Sequence, residues 1–234
     1  MQRRGFLRTC ALLSGAAGLM PRQAAWADAA PRYYARTRLI DIHGAPIRLA
    51  DLAEDTNYVF HYPYAATPCF LLNLGKPAKP AARLRTAENR DYEWHGGVGA
   101  NRSIVAYSAI CAHQLAYPTR DISFISYRAE GSPRNRHAQV IHCCAEHSQY
   151  DPAEGARVVA GPAPQPLAAI LLEHDPAGDG LYAVGTLGGE MFNQFFAKYE
   201  FKLALEHGSG AREAVRGTAA VSELENYCKQ QVRC

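Results

Sequence analysis

This chain has little excess charge of either sign. Its 234 residues carry Lys+Arg 25 against Asp+Glu 22, a formal net charge of +3. No basic stripe with interleaved aromatics runs along it, so the electrostatic footprint of a nucleic-acid binder is missing. The ending of a phosphate loop is missing too. Gly96-Gly97-Val98-Gly99 is rich in glycine, but no Gly-Lys-Ser/Thr follows. No Ser-His-Asp or Cys-His arrangement marks a nucleophile, and no internal repeat divides the chain. Past the N-terminal segment, no run approaches the roughly 20 apolar residues that cross a bilayer. What remains is an ordinary globular composition, 48% hydrophobic and 20% charged. The length suits one sizeable domain or two small ones.

The first residues read as an address. Arg3-Arg4 precedes Gly5-Phe6-Leu7 and a mild apolar run from Ala11 to Met20, and Ala25-Trp26-Ala27 follows. This order is that of a twin-arginine export signal, residues 1–27, cut after Ala27. The apolar run is short for a membrane span and contains Ser14, Gly15 and Gly18. Cleavage is therefore expected over a retained anchor, and membrane association is expected only if the segment stays. Twin-arginine export carries proteins already folded around a cofactor, which places the expected work in the periplasm.

The body of the chain reads as short strands. Residues 28–37 look like a linker, and Thr37 to Leu49 like a strand pair around His43-Gly44. Residues 56–74 read as two strands broken at Pro63 and Thr67-Pro68. Further strands are expected at Ser103–Ser108, Ile122–Tyr127, Gln139–Cys143, Arg157–Ala160, Ala168–Glu173 and Gly180–Gly185. Close spacing with Gly and Pro between predicts an antiparallel all-β sandwich or barrel. Helix is expected only near the end, at Glu190–Tyr199 and at Ser222–Gln231. Ser222 and Glu225 have the spacing of a capping box there.

Seven cysteines stand at 10, 69, 111, 143, 144, 228 and 234. A disulfide framework is the first expectation for an exported protein. The spacing argues against using all of them so. Cys111-Ala-His113 sets a thiolate near an imidazole, and Cys144-Ala-Glu-His147 repeats the pairing. Two Cys and two His make a four-ligand set for a soft or borderline metal. Cys143 could replace Cys144, although the Cys-x-x-His register favours Cys144. Cys228 and Cys234 could pair with each other, and Cys69 reads as a core residue. His137, His142 and His174 read as ordinary loop or strand histidines.

The ligand motifs carry a family resemblance. Cys-x-His, then Cys-x-x-His, then Tyr150-Asp151-Pro152 and Gly161-Pro162-Ala163-Pro164 resemble the two cluster loops and proline loop of Rieske [2Fe–2S] proteins. The resemblance runs from about Thr56 to Gly185. It implies a Rieske domain over residues 56–187, linker and first strands over 28–55, and a C-terminal extension over 188–234. It implies one cluster per chain, with Cys111 and Cys144 on the inner iron and His113 and His147 on the outer. Neutral imidazoles in place of two thiolates raise the potential, to roughly −150 to +300 mV against about −400 mV for plant-type clusters.

Two departures stand out. Ala116 and Glu146 match positions where many Rieske proteins carry a loop-to-loop disulfide, so none is expected here. Ser148 follows His147 directly, where the family usually has a residue between. Gly96–Gly99 with Ile104–Ser108, and Tyr62-Pro63-Tyr64 through Cys69, are similar to the small subunits of arsenite oxidases. The implied role is electron transfer between a catalytic subunit, a molybdenum enzyme of the arsenite-oxidase type, and a cytochrome-like acceptor. Two other readings are a quinol-oxidising subunit of a cytochrome-bc-like complex and a zinc-stabilised binding module. Few residues follow Gly185, so the second catalytic domain of a mononuclear-iron oxygenase is not expected.

Overall fold

The computed structural model describes residues 29–132 and 136–234. The expected export signal lies outside the described residues.

The chain begins with β1 (Arg32–Ile40), β2 (Tyr58–His61) and β3 (Pro68–Asn73), followed by a hairpin, β4 (Ala82–Arg85) and β5 (Asp91–Trp94). Next come β6 (Ile104–Ser108), β7 (Ile122–Ser123), β8 (Ile125–Arg128), β9 (Val140–Cys143), β10 (Ser148–Asp151) and β11 (Arg157–Ala160). After β12 (Ala169–Asp175) and β13 (Gly180–Leu187) the chain forms helix α1 (Phe192–His207). It ends through β14 (Gly217–Ala220), β15 (Ser222–Glu223), the single turn α2 (Leu224–Tyr227) and β16 (Gln230–Gln231).

The main sheet has the order β14-β1-β13-β12-β6-β3-β2-β15. Its two outer strands, β14 and β15, are successive pieces of one segment joined by Val221. That residue is buried, and its N–H donates to Ile40 O at 2.7 Å. One stretch of chain thus pairs with β1 and then with β2, which nearly closes the sheet into a barrel and covers its edges.

Strand periodicity sorts the core. In β2, β3 and β6, Tyr58, Phe60, Cys69, Leu71, Ile104 and Ala106 face the barrel interior. Their alternates Val59, Phe70, Leu72, Val105 and Tyr107 face a second core outside it. These strands are covered on both faces, which is why β3 reads as an uninterrupted apolar run. The second core is roofed by the small sheet β11-β10-β9-β8. Tyr107 donates from its hydroxyl to Pro152 O at 2.7 Å and so ties the two sheets together.

Several expected elements move. The linker reading of 28–37 gives way to β1, because Arg32–Arg38 pair with β13. The second limb expected before Leu49 reduces to a bridge between Ile40 and Pro46. The helix expected at Ser222–Gln231 shrinks to Leu224–Tyr227, with no side-chain cap at its start. Ser222 and Glu223 pair with Val59 and Tyr58 instead, so sheet closure overrides the capping-box signal. The earlier helix runs to His207, longer than expected.

Candidate metal centre

Two turns converge on one buried point. The first leaves β6. The Cys111 N–H donates to Ala116 O at 2.8 Å, and the Leu115 N–H donates to Cys111 O at 3.0 Å. Leu115 takes a left-handed φ of 60° to close this turn. The second is the tip of the β9–β10 hairpin, where Cys143 stands directly opposite Ser148. Residues 144–147 form the tip, and His147 also takes a left-handed φ, 58°.

Each turn folds main-chain donors around a sulfur. The N–H groups of His113 and Gln114 point at Cys111 Sγ, and those of Ala145 and Glu146 point at Cys143 Sγ. The two sulfurs also meet, the Cys143 thiol donating to Cys111. The Tyr150 hydroxyl stands 3.3 Å from Cys111 Sγ and accepts from the Ala112 N–H at 3.2 Å. Cys111, Cys143 and Tyr150 are each fully buried. The Cys143 contact lowers the Cys111 pKa despite burial, and the same contact and burial raise that of Cys143. Burial, and then Cys111, push the Tyr150 hydroxyl up.

The vicinal cysteines part company here. Along a strand, successive side chains take opposite faces. Cys143 shares its face with Ile141, Ser148 and Tyr150, toward Cys111. Cys144, the expected cysteine of the second motif, forms a disulfide with Cys234, Cα to Cα 5.7 Å. His142 lies on that side as well, its Nε2 3.5 Å from Cys234 Sγ. His142, Cys144 and Cys234 thus cluster, but a disulfide offers no thiolate to a metal. The Cys228–Cys234 pair considered from the sequence does not form. Cys228 is a buried free thiol that donates to Gln230 O at 2.9 Å.

The donors present suit an iron–sulfur cluster. Two buried free thiols face each other, and His113 stands on the same turn as one of them. The Nδ1 of His113 is buried with no hydrogen-bond partner among the described residues, so this nitrogen is free to meet a metal. Ser148 Oγ, across the hairpin from Cys143, is likewise buried without a partner. His147 is exposed at the hairpin tip. The proline loop packs on this tip so closely that a Cβ at Gly161 would lie 2.4 Å from His147 O.

The C-terminal segment braces both turns. Phe195 of α1 meets the Tyr117 ring edge-on at 4.8 Å, and Phe192, Phe195, Phe196 and Leu203 pack with Ile110, Leu115 and Tyr117. Lys198 donates to Gln114 O at 2.6 Å. At the other turn, β16 pairs in parallel with β7, and the Cys144–Cys234 bond pins the chain end to the hairpin. Loop 2 is therefore tied by a disulfide, though to the tail rather than to loop 1.

The chain is 31% identical over 193 residues to iodate reductase subunit IdrB of Pseudomonas sp. (strain SCT), covering 80% of each protein. It belongs to the Rieske-type [2Fe–2S] protein family that includes this subunit. The cofactor is accordingly a Rieske-type [2Fe–2S] cluster. The soluble domain of the Rieske protein II (soxF) from Sulfolobus acidocaldarius is 23% identical with a TM-score of 0.44, covering 67% of this chain and 82% of that one. No protein-family model matches the chain.

Proposed function

We propose that this chain is an exported electron-transfer subunit, working in the periplasm beside a catalytic oxidoreductase subunit. Its cluster would be held by Cys111, His113, His147 and one cysteine of the Cys143–Cys144 pair. Single electrons would pass between a molybdenum-type catalytic subunit and a cytochrome-type acceptor. When bound, the cluster supplies reversible one-electron transfer near neutral potential. The protein's part is to hold it. Cys111 is cradled by N–H groups and the Tyr150 hydroxyl, which stabilise negative charge on sulfur. The exposed His147 offers an edge through which electrons leave a buried site.

The observation that carries this reading is the meeting of two buried, free cysteines from two histidine-bearing turns. The relative's description as a subunit of iodate reductase supports a catalytic partner. The twin-arginine pattern at Arg3-Arg4 supports export. Purification of the tagged full chain from its native periplasm tests the proposal. A molybdenum-containing subunit should co-purify, and substrate of that subunit should change the redox state of the cluster. A chain that purifies alone, with a cluster indifferent to iodate and arsenite, contradicts it.

A further inference from the structure

We infer that the second thiolate of the cluster is Cys143, in a Cys-x-x-x-His register with His147, and that the Cys144–Cys234 disulfide keeps Cys144 out of the ligand set. This rests on the cluster reading above and concerns which residue completes it.

Three independent features of the hairpin carry the assignment. The first is direction. Cys143 closes β9 opposite Ser148, on the face shared with Ile141 and Tyr150. Tyr150 is the residue whose hydroxyl reaches Cys111, so this face looks at the other loop. Cys144 lies one residue on and joins Cys234.

The second is the equivalence of the two turns. Cys111 receives the N–H groups of the residues two and three places after it, His113 and Gln114. Cys143 receives those of the residues two and three places after it, Ala145 and Glu146. A sulfur cradled by main-chain donors suits a thiolate that carries charge onto iron. Both turns build this cradle, and in the second turn it is centred on Cys143.

The third is chemical state. Among the described cysteines, Cys69, Cys111, Cys143 and Cys228 are free thiols. Cys69 donates to Tyr62 O inside the barrel, and Cys228 donates to Gln230 O. Only Cys143 faces Cys111. A shift to Cys144 would require breaking its bond to Cys234 and turning the hairpin tip over.

Direction also accounts for Ser148 following His147 without an intervening residue. Counted from Cys143, four residues separate cysteine and serine, and these four are the hairpin tip. The extra place lies before His147 rather than missing after it, and the left-handed φ of His147 absorbs it.

The test uses the full exported chain with three changes, Cys143→Ser, Cys144→Ser and the double change Cys144→Ser/Cys234→Ser. Iron and acid-labile sulfide per chain and the electron-spin signal after dithionite reduction are measured for each. C143S should lose at least nine-tenths of its iron and sulfide, while C144S and the double variant keep the wild-type content and signal. Retention in C143S with loss in C144S overturns the assignment while leaving a Rieske cluster in place. Absence of iron and sulfide from the wild type overturns both.

Folding failure of C143S is covered by a second readout on the wild type. Holoprotein is denatured in alkylating reagent without reductant, digested and mapped by mass. A Cys144–Cys234 cross-link with alkylated Cys111 and Cys143 supports the assignment. A Cys143–Cys234 cross-link with alkylated Cys144 overturns it.

Discussion

Tyr150 Oη stands 3.3 Å from Cys111 Sγ while accepting the Ala112 N–H, so one buried hydroxyl links the second strand of the loop-2 hairpin to the loop-1 cysteine. Its proton therefore points at sulfur. A bond to a sulfur that gains charge on reduction strengthens in the reduced state. Tyr150→Phe removes it with little change in volume. If about 1 kcal/mol of a charge-assisted bond is specific to the reduced state, the potential falls by roughly 40 mV, at 59 mV per tenfold for one electron. Protein-film voltammetry of the two proteins checks this. An unchanged potential would show that the hydroxyl does not bear on the cluster.

The Cys144–Cys234 bond closes a span of 90 residues in sequence. Removing a cross-link of that span typically costs about 2–4 kcal/mol. Cys234→Ser should lower the guanidinium midpoint accordingly while iron content stays at the wild-type level. A variant as stable as wild type would mean the tail is held by β16 pairing and side-chain contacts alone.

Phe195 is fully buried and meets Tyr117 edge-on at 4.8 Å, placing α1 directly behind loop 1. Phe195→Ala should cost about 3–5 kcal/mol through lost burial and the cavity left behind. The loss should fall on the Cys111 turn, so hydrogen exchange at residues 112–116 should quicken more than exchange in the barrel strands. Uniform acceleration would show that α1 supports the domain generally and not this turn.

Gly161 has a φ of 86°, and a Cβ there would lie 2.4 Å from His147 O and 2.5 Å from Ser148 Cα. Both atoms are main chain and cannot rotate away. Gly161→Ala should therefore destabilise by about 1–3 kcal/mol and displace the His147 end of the hairpin. The electron-spin signal of the reduced cluster should broaden or shift. A wild-type signal and thermal midpoint would show that the proline loop yields without moving the hairpin.

His61, at the end of β2, packs against Tyr227 and His207, and its Nε2 lies 3.3 Å from the Tyr227 hydroxyl. Burial first, then the charges of His207 and Arg120, lower its pKa from 6.5 to about 4. The folded state therefore resists the proton that the unfolded chain accepts below 6.5. The contribution is fully present above pH 6.5, drains away as pH falls from 6.5 toward about 4, and is gone below that. Between pH 7 and pH 5 the loss is about 2 kcal/mol. His61→Gln should reduce the drop in urea-unfolding stability over that interval. Parallel pH curves for the two proteins would contradict it.

Much of the architecture was legible because strand alternation and turn residues are local. β2, β3, β6 and β11 to β13 fall close to where the aromatic and β-branched runs predict them. The closing segment was not legible. Gly217–Glu223 has no strong strand pattern, and its pairing with β1 and β2 is decided by partners far away in sequence. In the site, the turn that carries Cys111 and His113 was legible from one compact motif. That Cys143, and not Cys144, faces Cys111 was not legible, because Cys144 completes the Cys-x-x-His spacing and spacing does not reveal which way a strand faces. The five-residue step from Cys143 to Ser148 was the available signal. The partner of Cys144 was hidden by distance, since nothing near Cys234 points to residue 144.

The most direct test of the central claim is metal and sulfide analysis of the purified full chain, joined to electron-spin resonance after reduction. A Rieske-type cluster requires two irons and two acid-labile sulfides per chain, with a rhombic signal that appears on reduction. Zinc without sulfide, and no signal in either redox state, would contradict it.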